Sequence, residues 1–209
     1  MYLPNEDYVY NVVLQQSSDQ KGEELLIGQY SSFTFPSIYK GNFDMDSIES
    51  KHFYLTHFLK TNYRGRNFAV AQSVVKLLRD NNISGWSTYP VNVYTNDNVL
   101  LDDYVGFSII GRCTSVKPSL TKEVCIYPAY KNGPSYKGYK GFPLDLDTWD
   151  GSDIFILEHT LCKFVTARTK NVIEKAHLSN IAFEDIAEMT YPQKDAIWKS
   201  PMGVMITEQ

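Results

Sequence analysis

The stretch Val70-Ala-Gln-Ser-Val-Val-Lys-Leu-Leu-Arg-Asp-Asn-Asn-Ile-Ser-Gly85 decides the fold class, because it predicts an amphipathic helix between two strands. Its apolar residues recur at helical spacing and therefore share one face: Val70, Val74, Leu77 and Leu78. The two asparagines after Asp80 and the glycine at 85 predict the end of the helix. We expect the apolar face to be buried, and truncation of Leu77 to be strongly destabilising.

A second stretch, Val165-Thr-Ala-Arg-Thr-Lys-Asn-Val-Ile-Glu-Lys-Ala-His-Leu-Ser-Asn180, repeats this order 95 residues later. Its predicted inner side is again read from helical spacing: Thr169, Val172, Ile173 and Ala176. The repetition predicts two similar strand–helix–strand units, about 53–110 and 154–190, within a single domain of residues 1–209. A chance match between two generic strand–helix–strand patterns is the alternative.

Short β-branched and aromatic runs predict the strands, and aromatic residues at 14% of the chain favour a high sheet content. The predicted strands are 8–14, 25–30, 53–59, 87–94, 104–110, 124–127, 154–157, 163–165 and 181–186. Segments 31–46 and 131–141 are rich in Gly, Pro or Ser and predict irregular chain, the second a mobile loop. The expected class is α+β, with mostly antiparallel sheet and two main helices.

Charge and cysteine content narrow the classes of partner and compartment. The formal charge is −4, so the chain does not offer the overall basic character that nucleic-acid binding requires. Three cysteines without a CxxC pair form neither a disulfide framework nor a zinc ribbon. We expect no membrane segment and no signal peptide, and therefore a cytoplasmic protein.

The acidic segment Asp145-Leu-Asp-Thr-Trp-Asp-Gly-Ser-Asp153 is the main candidate site. A calcium loop is not expected, because its fifth and sixth positions hold Trp149 and Asp150 where a ligand and a glycine are required. One interpretation is structural, with a turn at Asp150-Gly151 and Trp149 in the core. The other is a surface patch for a protein partner, with five candidate residues: Asp145, Asp147, Trp149, Asp150 and Asp153.

Motifs for catalysis, metals and cofactors are missing from the sequence. The histidines lack metal-ligand spacing, and the glycine- and lysine-containing segment 133–141 lacks the end of a phosphate-binding loop. A dyad of His159 and Cys162 is weaker than a packed cysteine as an interpretation. We therefore predict no catalytic, cofactor or metal residues, although catalytic groups that converge from distant positions stay open.

Two segments of the second half resemble the immunity protein 11 family, bacterial proteins associated with polymorphic toxin systems. They are Ile154-Phe-Ile-Leu157 and the run from Val165 to Phe183, and segment 68–86 resembles an upstream copy of the same element. The resemblance covers about 53–188. Asn180 stands where the family has glycine, and Thr166 where it has serine; Asn can still end a helix in the left-handed conformation and Thr can still cap one.

The resemblance implies a protein that neutralises a cognate protein toxin by stoichiometric occlusion, with no catalytic residues, no nucleic acid and no membrane as partner. Two alternatives remain open. One is a hydrolase-like enzyme with dispersed catalytic residues, and the other is a small-ligand-binding or scaffold domain with a cavity between the two units.

Overall fold

The structure is a computed structural model that describes residues 13–16, 22–29, 36–42, 57–61, 67–95, 98–127, 133–160, 162–179 and 181–191. The helices are α1 Gly22–Leu26, α2 Gln72–Asp80 and α3 Ala167–Lys175. The first strands are β1 Val13–Gln16, β2 Ser37–Asn42, β3 Phe58–Thr61, β4 Phe68–Ala71, β5 Trp86–Tyr89, β6 Val91–Tyr94 and β7 Leu100–Leu101. The later strands are β8 Tyr104–Ile109, β9 Gly111–Cys113, β10 Lys122–Ile126, β11 Tyr136–Lys140, β12 Ile154–Leu157, β13 Lys163–Val165 and β14 Thr190–Tyr191. The predicted α+β class, with mostly antiparallel strands and two main helices, is confirmed.

The largest sheet has the strand order β5-β8-β4-β3-β1-β2-β6-β7. Its pairs are antiparallel except for β1 with β3 and β2 with β6. Strands β5 and β6 follow each other through Pro90 alone, yet they lie near opposite ends of this order. The sheet therefore curls round a hydrophobic core, the first core, which includes Tyr39, Val70 and Val93. The predicted single strand 87–94 is two strands, because proline lacks the N–H that a continuous ladder requires.

Helix α2 lays an apolar face on the first core. Val74, Val75 and Leu78 are buried, and Leu77 is half-buried at the margin of that face. Val70 is buried too, but it belongs to β4, so the helix begins later than the periodicity suggested. A helical pattern and the last residue of a buried strand cannot be separated by apolar spacing alone.

Of the two nine-residue helices, α3 has fewer buried residues: two, compared with three in α2. Ile173 is buried as predicted, and Thr169 on the same side is buried too. The predicted burial of Val172 is wrong, because that residue is half-buried, and Ala176 is exposed. The side chain of Thr166 accepts a hydrogen bond from the Thr169 N–H at 3.4 Å, which caps the helix start as expected for this residue type.

The two helices end in the same way at the predicted offset of 95 residues. Asn82 and His177 both take a left-handed conformation, with φ of 50° and 51°. The N–H of Ile83 donates to the carbonyl of Leu78. In the same way, the N–H of Leu178 donates to the carbonyl of Ile173. Both ends thus close with the left-handed turn that commonly terminates helices. That the units arose as copies of one another stays a prediction.

Each turn after a helix contacts, through a serine, the residue that precedes a strand of the other unit, Asp153 before β12 and His57 before β3. The Ser84 N–H donates to the Asp153 carboxylate at 3.0 Å, and the Asp153 N–H donates to Ser84 Oγ at 3.0 Å. In the same manner, the His57 N–H donates to Ser179 Oγ at 3.1 Å, and the Ser179 N–H donates to His57 Nδ1 at 3.0 Å. These reciprocal serine contacts join the two units in both directions.

Strands β12 and β13 separate two hydrophobic cores. Ile154, Ile156 and Val165 face the first core, whereas Phe155 and Phe164 face a second core. Alternate side chains of a strand point to opposite faces, so a ribbon with a core on each side is apolar at nearly every position. Lys163, at the start of β13, is the exception and is also buried. This explains why 154–157 and 163–165 could be predicted correctly from their apolar runs.

Two predictions in the first part of the chain are wrong. The described part of predicted strand 25–30, residues 25–29, is not a strand. Leu25 and Leu26 lie on α1 and are both buried, and the Ser108 hydroxyl donates to the Leu25 carbonyl. Segment 31–46 is not wholly irregular, since it contains β2, which pairs with β1 and β6 and buries Tyr39. Pairing with distant strands outweighs local composition at such positions. Predicted strand 8–14 lies mostly outside the described residues.

Two predictions in the second part are also wrong. Segment 131–141 contains β11, in which Gly138 permits close packing: a Cβ there would approach Ile126 Cδ1 to 2.1 Å. The glycine thus marks a close approach and not a mobile loop. Segment 181–186 forms no strand; Ile181 and Phe183 instead pack on the first core from irregular chain.

The helices are short. The longest in the described part of the chain have nine residues, and none there has the length and apolar character that a membrane crossing needs.

Candidate functional site

The acidic segment forms a surface loop that leads into β12. It begins with a short 3-10 turn, Leu146–Thr148, whose start is capped by the Asp145 carboxylate. The Asp147 N–H donates to Asp145 Oδ1 at 3.2 Å, and the Ser115 hydroxyl donates to Asp145 Oδ2 at 3.1 Å. Asp145 is therefore committed to holding the loop, as carboxylates at turn starts commonly are.

Lys117 joins this loop to the neighbouring chain. Its ammonium group lies 2.8 Å from Asp145 Oδ1 and also contacts the exposed carboxylate of Asp147. Hydrogen bonds from Lys117 and then from Ser115 hold the pKa of Asp145 below its ordinary value, although partial desolvation opposes this. The same two carboxylates raise the pKa of Lys117. The local charge of the loop is thus partly neutralised from within the molecule.

Asp150 holds the turn that follows. Its two oxygens accept hydrogen bonds from the Arg112 N–H at 2.7 Å and from the Ser152 N–H at 2.9 Å. Burial alone would raise the pKa of Asp150, but the hydrogen bonds from Ser152 and Arg112 outweigh it and lower the pKa. Gly151, with φ of 82°, provides the left-handed residue of the predicted turn at Asp150-Gly151.

Asp153 is the most fully bonded of the four aspartates. Besides the Ser84 N–H, it accepts hydrogen bonds from the Ser84 hydroxyl at 3.0 Å, from Thr166 Oγ1 at 3.1 Å and from Arg168 at 3.4 Å. Only 13% of its side chain is exposed. Asp153 therefore serves the contact between the two units and has little surface left for a partner.

Trp149 lies between the two predicted interpretations, because it is half-buried. Its indole N–H donates to the Ser152 carbonyl at 3.0 Å, and its ring packs against Phe155 with centroids 5.4 Å apart. It anchors the loop to the second core. Leu146, which is 47% exposed, and Asp147, whose side chain is 83% exposed, face outward. Asp150 is exposed as well, but its two oxygens are bonded within the loop and to Arg112.

Arg112 is a supporting residue that sequence reasoning missed. Its guanidinium donates to the carbonyls of Ile27, Ile109 and Gly111 at 2.7–2.8 Å. Burial lowers the pKa of Arg112, while Glu158 and Asp150 act in the opposite direction. The residue fixes α1 against β8 and β9, and its own N–H holds Asp150. Its partners are up to 85 residues away, so no local pattern reveals this role.

The other chemical candidates do not converge. Cys162 is buried, and burial raises the pKa of its thiol, which disfavours a thiolate nucleophile. His159 is exposed on the turn after β12. In the part of the chain that the structure describes, no three His, Cys, Asp or Glu side chains are grouped as metal ligands. His52 lies outside the described residues.

Comparison with known proteins adds no family. No protein-family model matches the chain, and no curated protein matches its sequence.

Proposed function

We propose that this chain is an immunity-type protein that binds a cognate protein toxin and blocks it stoichiometrically, without catalysing a reaction. The proposal starts from the resemblance of 154–157 and 165–183 to the immunity protein 11 family. The resembling segments correspond to β12 and to the end of β13 with α3 and the chain after it, and segment 68–86 corresponds to β4, α2 and its turn.

One observation carries the proposal beyond that resemblance: the acidic loop is rigidly held while part of it projects. Asp145, Asp150 and Asp153 are occupied by internal hydrogen bonds, whereas Leu146 and Asp147 face outward. A surface that is already ordered loses little conformational entropy when a partner binds, so more of the contact free energy appears as affinity. The loop therefore has the properties of a preorganised recognition element.

The proposal also places the chain and its partner toxin in the cytoplasm. Cys113, Cys125 and Cys162 are free thiols. Reducing compartments keep thiols in that state, whereas secreted proteins usually pair them.

The test is co-expression of the tagged chain with the products of its neighbouring genes, followed by size-exclusion chromatography of the purified material. We expect a one-to-one complex with a polypeptide that is toxic when expressed alone. Recovery of the chain by itself at micromolar concentrations, beside each of those products, would contradict the proposal.

Matched variants then test the loop. Leu146→Asp removes an exposed apolar contact and adds charge to the projecting turn, and we expect it to weaken the complex at least tenfold. Val99→Asp makes the same kind of change at a residue that is 58% exposed at another edge of the molecule. If both variants bind like the unchanged chain, the loop is not the recognition element.

A further inference from the structure

Strand β10 has one edge that pairs with no other strand in the described part of the chain. It is the outer strand of the sheet β10-β11-β14, and it pairs on its inner side with β11 from Lys122↔Lys140 to Ile126↔Tyr136. The backbone groups on its outer side have no hydrogen-bond partner among the residues that the structure describes. Such a row of N–H and C=O groups is the template to which another extended peptide can add.

The charge of this hairpin differs from that of the whole chain. Its two strands carry three lysines, Lys122, Lys137 and Lys140, against one acidic residue, Glu123, so their formal charge is +2 while the chain carries −4. Lys137 pairs with Glu123, and Lys140 with Glu188, at exposed positions. Exposed pairs of this kind contribute little to stability, so a partner can readily exchange them. Lys122 has no ion-pair partner within the described ranges.

Exposed apolar and aromatic side chains flank the edge. Leu120 precedes β10 and is 55% exposed, and Tyr127 follows it and is 76% exposed. Tyr136, at the start of β11, is also exposed. Tyrosine is frequent among the residues that dominate binding energy at protein interfaces, so these positions add contact area beside the free edge.

We propose that β10 receives an extended, acid-bearing segment of a partner protein as an additional strand. The identity of that partner as the toxin rests on the proposed function, whereas the chemistry of the segment rests on β10 itself. A strand paired with β10 places its residues directly opposite those of β10. The segment thus carries a carboxylate opposite Lys122 and apolar side chains opposite Val124 and Ile126, in a pattern that alternates with polar residues.

A peptide fits this edge better than the other two occupants. Nucleic acid offers no backbone N–H groups to the β10 carbonyls, and Glu123 repels phosphate. A second copy of the chain, paired antiparallel about Val124, places Lys122 opposite an isoleucine and leaves its charge unused. The free backbone and the unpaired lysine together therefore favour an acidic polypeptide.

Cys125 supplies a local probe, because it lies in β10 and is exposed whereas Cys113 and Cys162 are buried. A phage-displayed library of random nine-residue peptides is selected on the chain, and enriched peptides are synthesised. Each is tested for affinity and for slowing the alkylation of Cys125 by iodoacetamide. We expect acidic peptides with alternating apolar residues that slow alkylation at least fivefold.

The matched variants are Lys122→Glu and Lys175→Glu, which make the same charge change in β10 and at the exposed end of α3. We expect the first to weaken the selected peptides about tenfold or more and the second to leave them unchanged. Tyr127→Ala, at a largely exposed position, repeats the test independently of charge. The circular dichroism spectrum of each variant verifies its fold.

Four results overturn the inference: no enrichment, enriched peptides that ignore Lys122→Glu, Cys125 protection by a 20-nucleotide single-stranded DNA in place of peptide, or protection that grows with the concentration of the chain alone. A toxin complex that is indifferent to all hairpin variants sinks this inference and leaves the proposed function standing. Peptide binding without any toxin complex does the reverse.

Discussion

Replacing Asp153 by alanine tests whether the internally bonded aspartates of the acidic loop stabilise the fold more than the exposed Asp147 does. The Asp153 carboxylate accepts four hydrogen bonds, two of them from Ser84 on the other unit, and its side chain is 13% exposed. Bonds to charged groups contribute about 1.5–3 kcal/mol, but Thr166 and Arg168 can recover water as a partner. We therefore expect Asp153→Ala to lower the free energy of unfolding by about 2–4 kcal/mol.

Asp147→Ala is the matched control, because it removes the same group from the same loop. Asp147 is 83% exposed and pairs with Lys117 at the surface, so we expect a change within about 0.5 kcal/mol. Urea unfolding at pH 7, followed by tryptophan fluorescence and far-UV circular dichroism, measures both variants. For a chain of this size, 2–4 kcal/mol corresponds to a fall in Tm of roughly 4–16 °C.

Equal losses for the two variants would refute the reasoning, since they would mean that exposure and bonding within the loop do not distinguish its carboxylates. A change below about 0.5 kcal/mol for Asp153→Ala would refute it as well. In that case the contact between Ser84 and Asp153 would contribute nothing measurable to the fold.

Three further predictions concern stability. Asp150→Asn is expected to make the protein less sensitive to acid. Because the pKa of Asp150 is lowered in the folded state, its ionised carboxylate stabilises the fold fully above the unfolded pKa near 3.9, and this stabilisation is lost as the pH falls through the folded pKa. The urea midpoint of the variant should therefore fall less steeply between pH 7 and pH 3. Burial raises the pKa of Tyr39 to about 12, so the neutral phenol stabilises the fold below about pH 10 and this stabilisation is lost between about pH 10 and 12. Tyr39→Phe is expected to remove that loss at alkaline pH and to lower the free energy of unfolding at pH 7 by about 1–3 kcal/mol, as measured by urea unfolding. Gly85→Ala brings a Cβ within 2.0 Å of the Ile154 carbonyl oxygen, whereas the Cβ of Gly151→Ala meets nothing within 4 Å. Calorimetry is expected to show a loss of stability of more than about 3 kcal/mol for the first variant and about 1–2 kcal/mol for the second, and equal losses would exclude the steric contact.

The parts of the fold that could be predicted from sequence are those whose signals are local. Strands β12 and β13 appear as apolar runs, α3 has its cap and its helical spacing, and the turn at Asp150-Gly151 has its own dipeptide. Strand β2 gave no such signal, because the serines, the proline and the glycine of segment 31–46 suggest irregular chain, whereas the strand is formed by pairing with β1 and β6. Local composition cannot report a partner that lies elsewhere in the chain.

The candidate site shows the same division. The sequence predicts the turn at Asp150-Gly151 and offers a surface patch as one of two interpretations of the acidic segment, but it does not predict which residues bind its carboxylates. Lys117, Arg112 and Ser84 lie 30, 38 and 69 residues from the aspartates they bind. The sequence therefore identified five candidate residues as one group, whereas the structure leaves Asp147 as the aspartate that faces outward most fully.

The reciprocal serine contacts set a timetable for synthesis of this protein. His57 is made early, but its partner Ser179 lies 122 residues later. At elongation rates of about 5–20 residues per second, roughly 6–24 s pass before that bond can form. Both junctions of the first helical unit are therefore open until Asp153 is made, and the junction at His57 stays open until Ser179 follows.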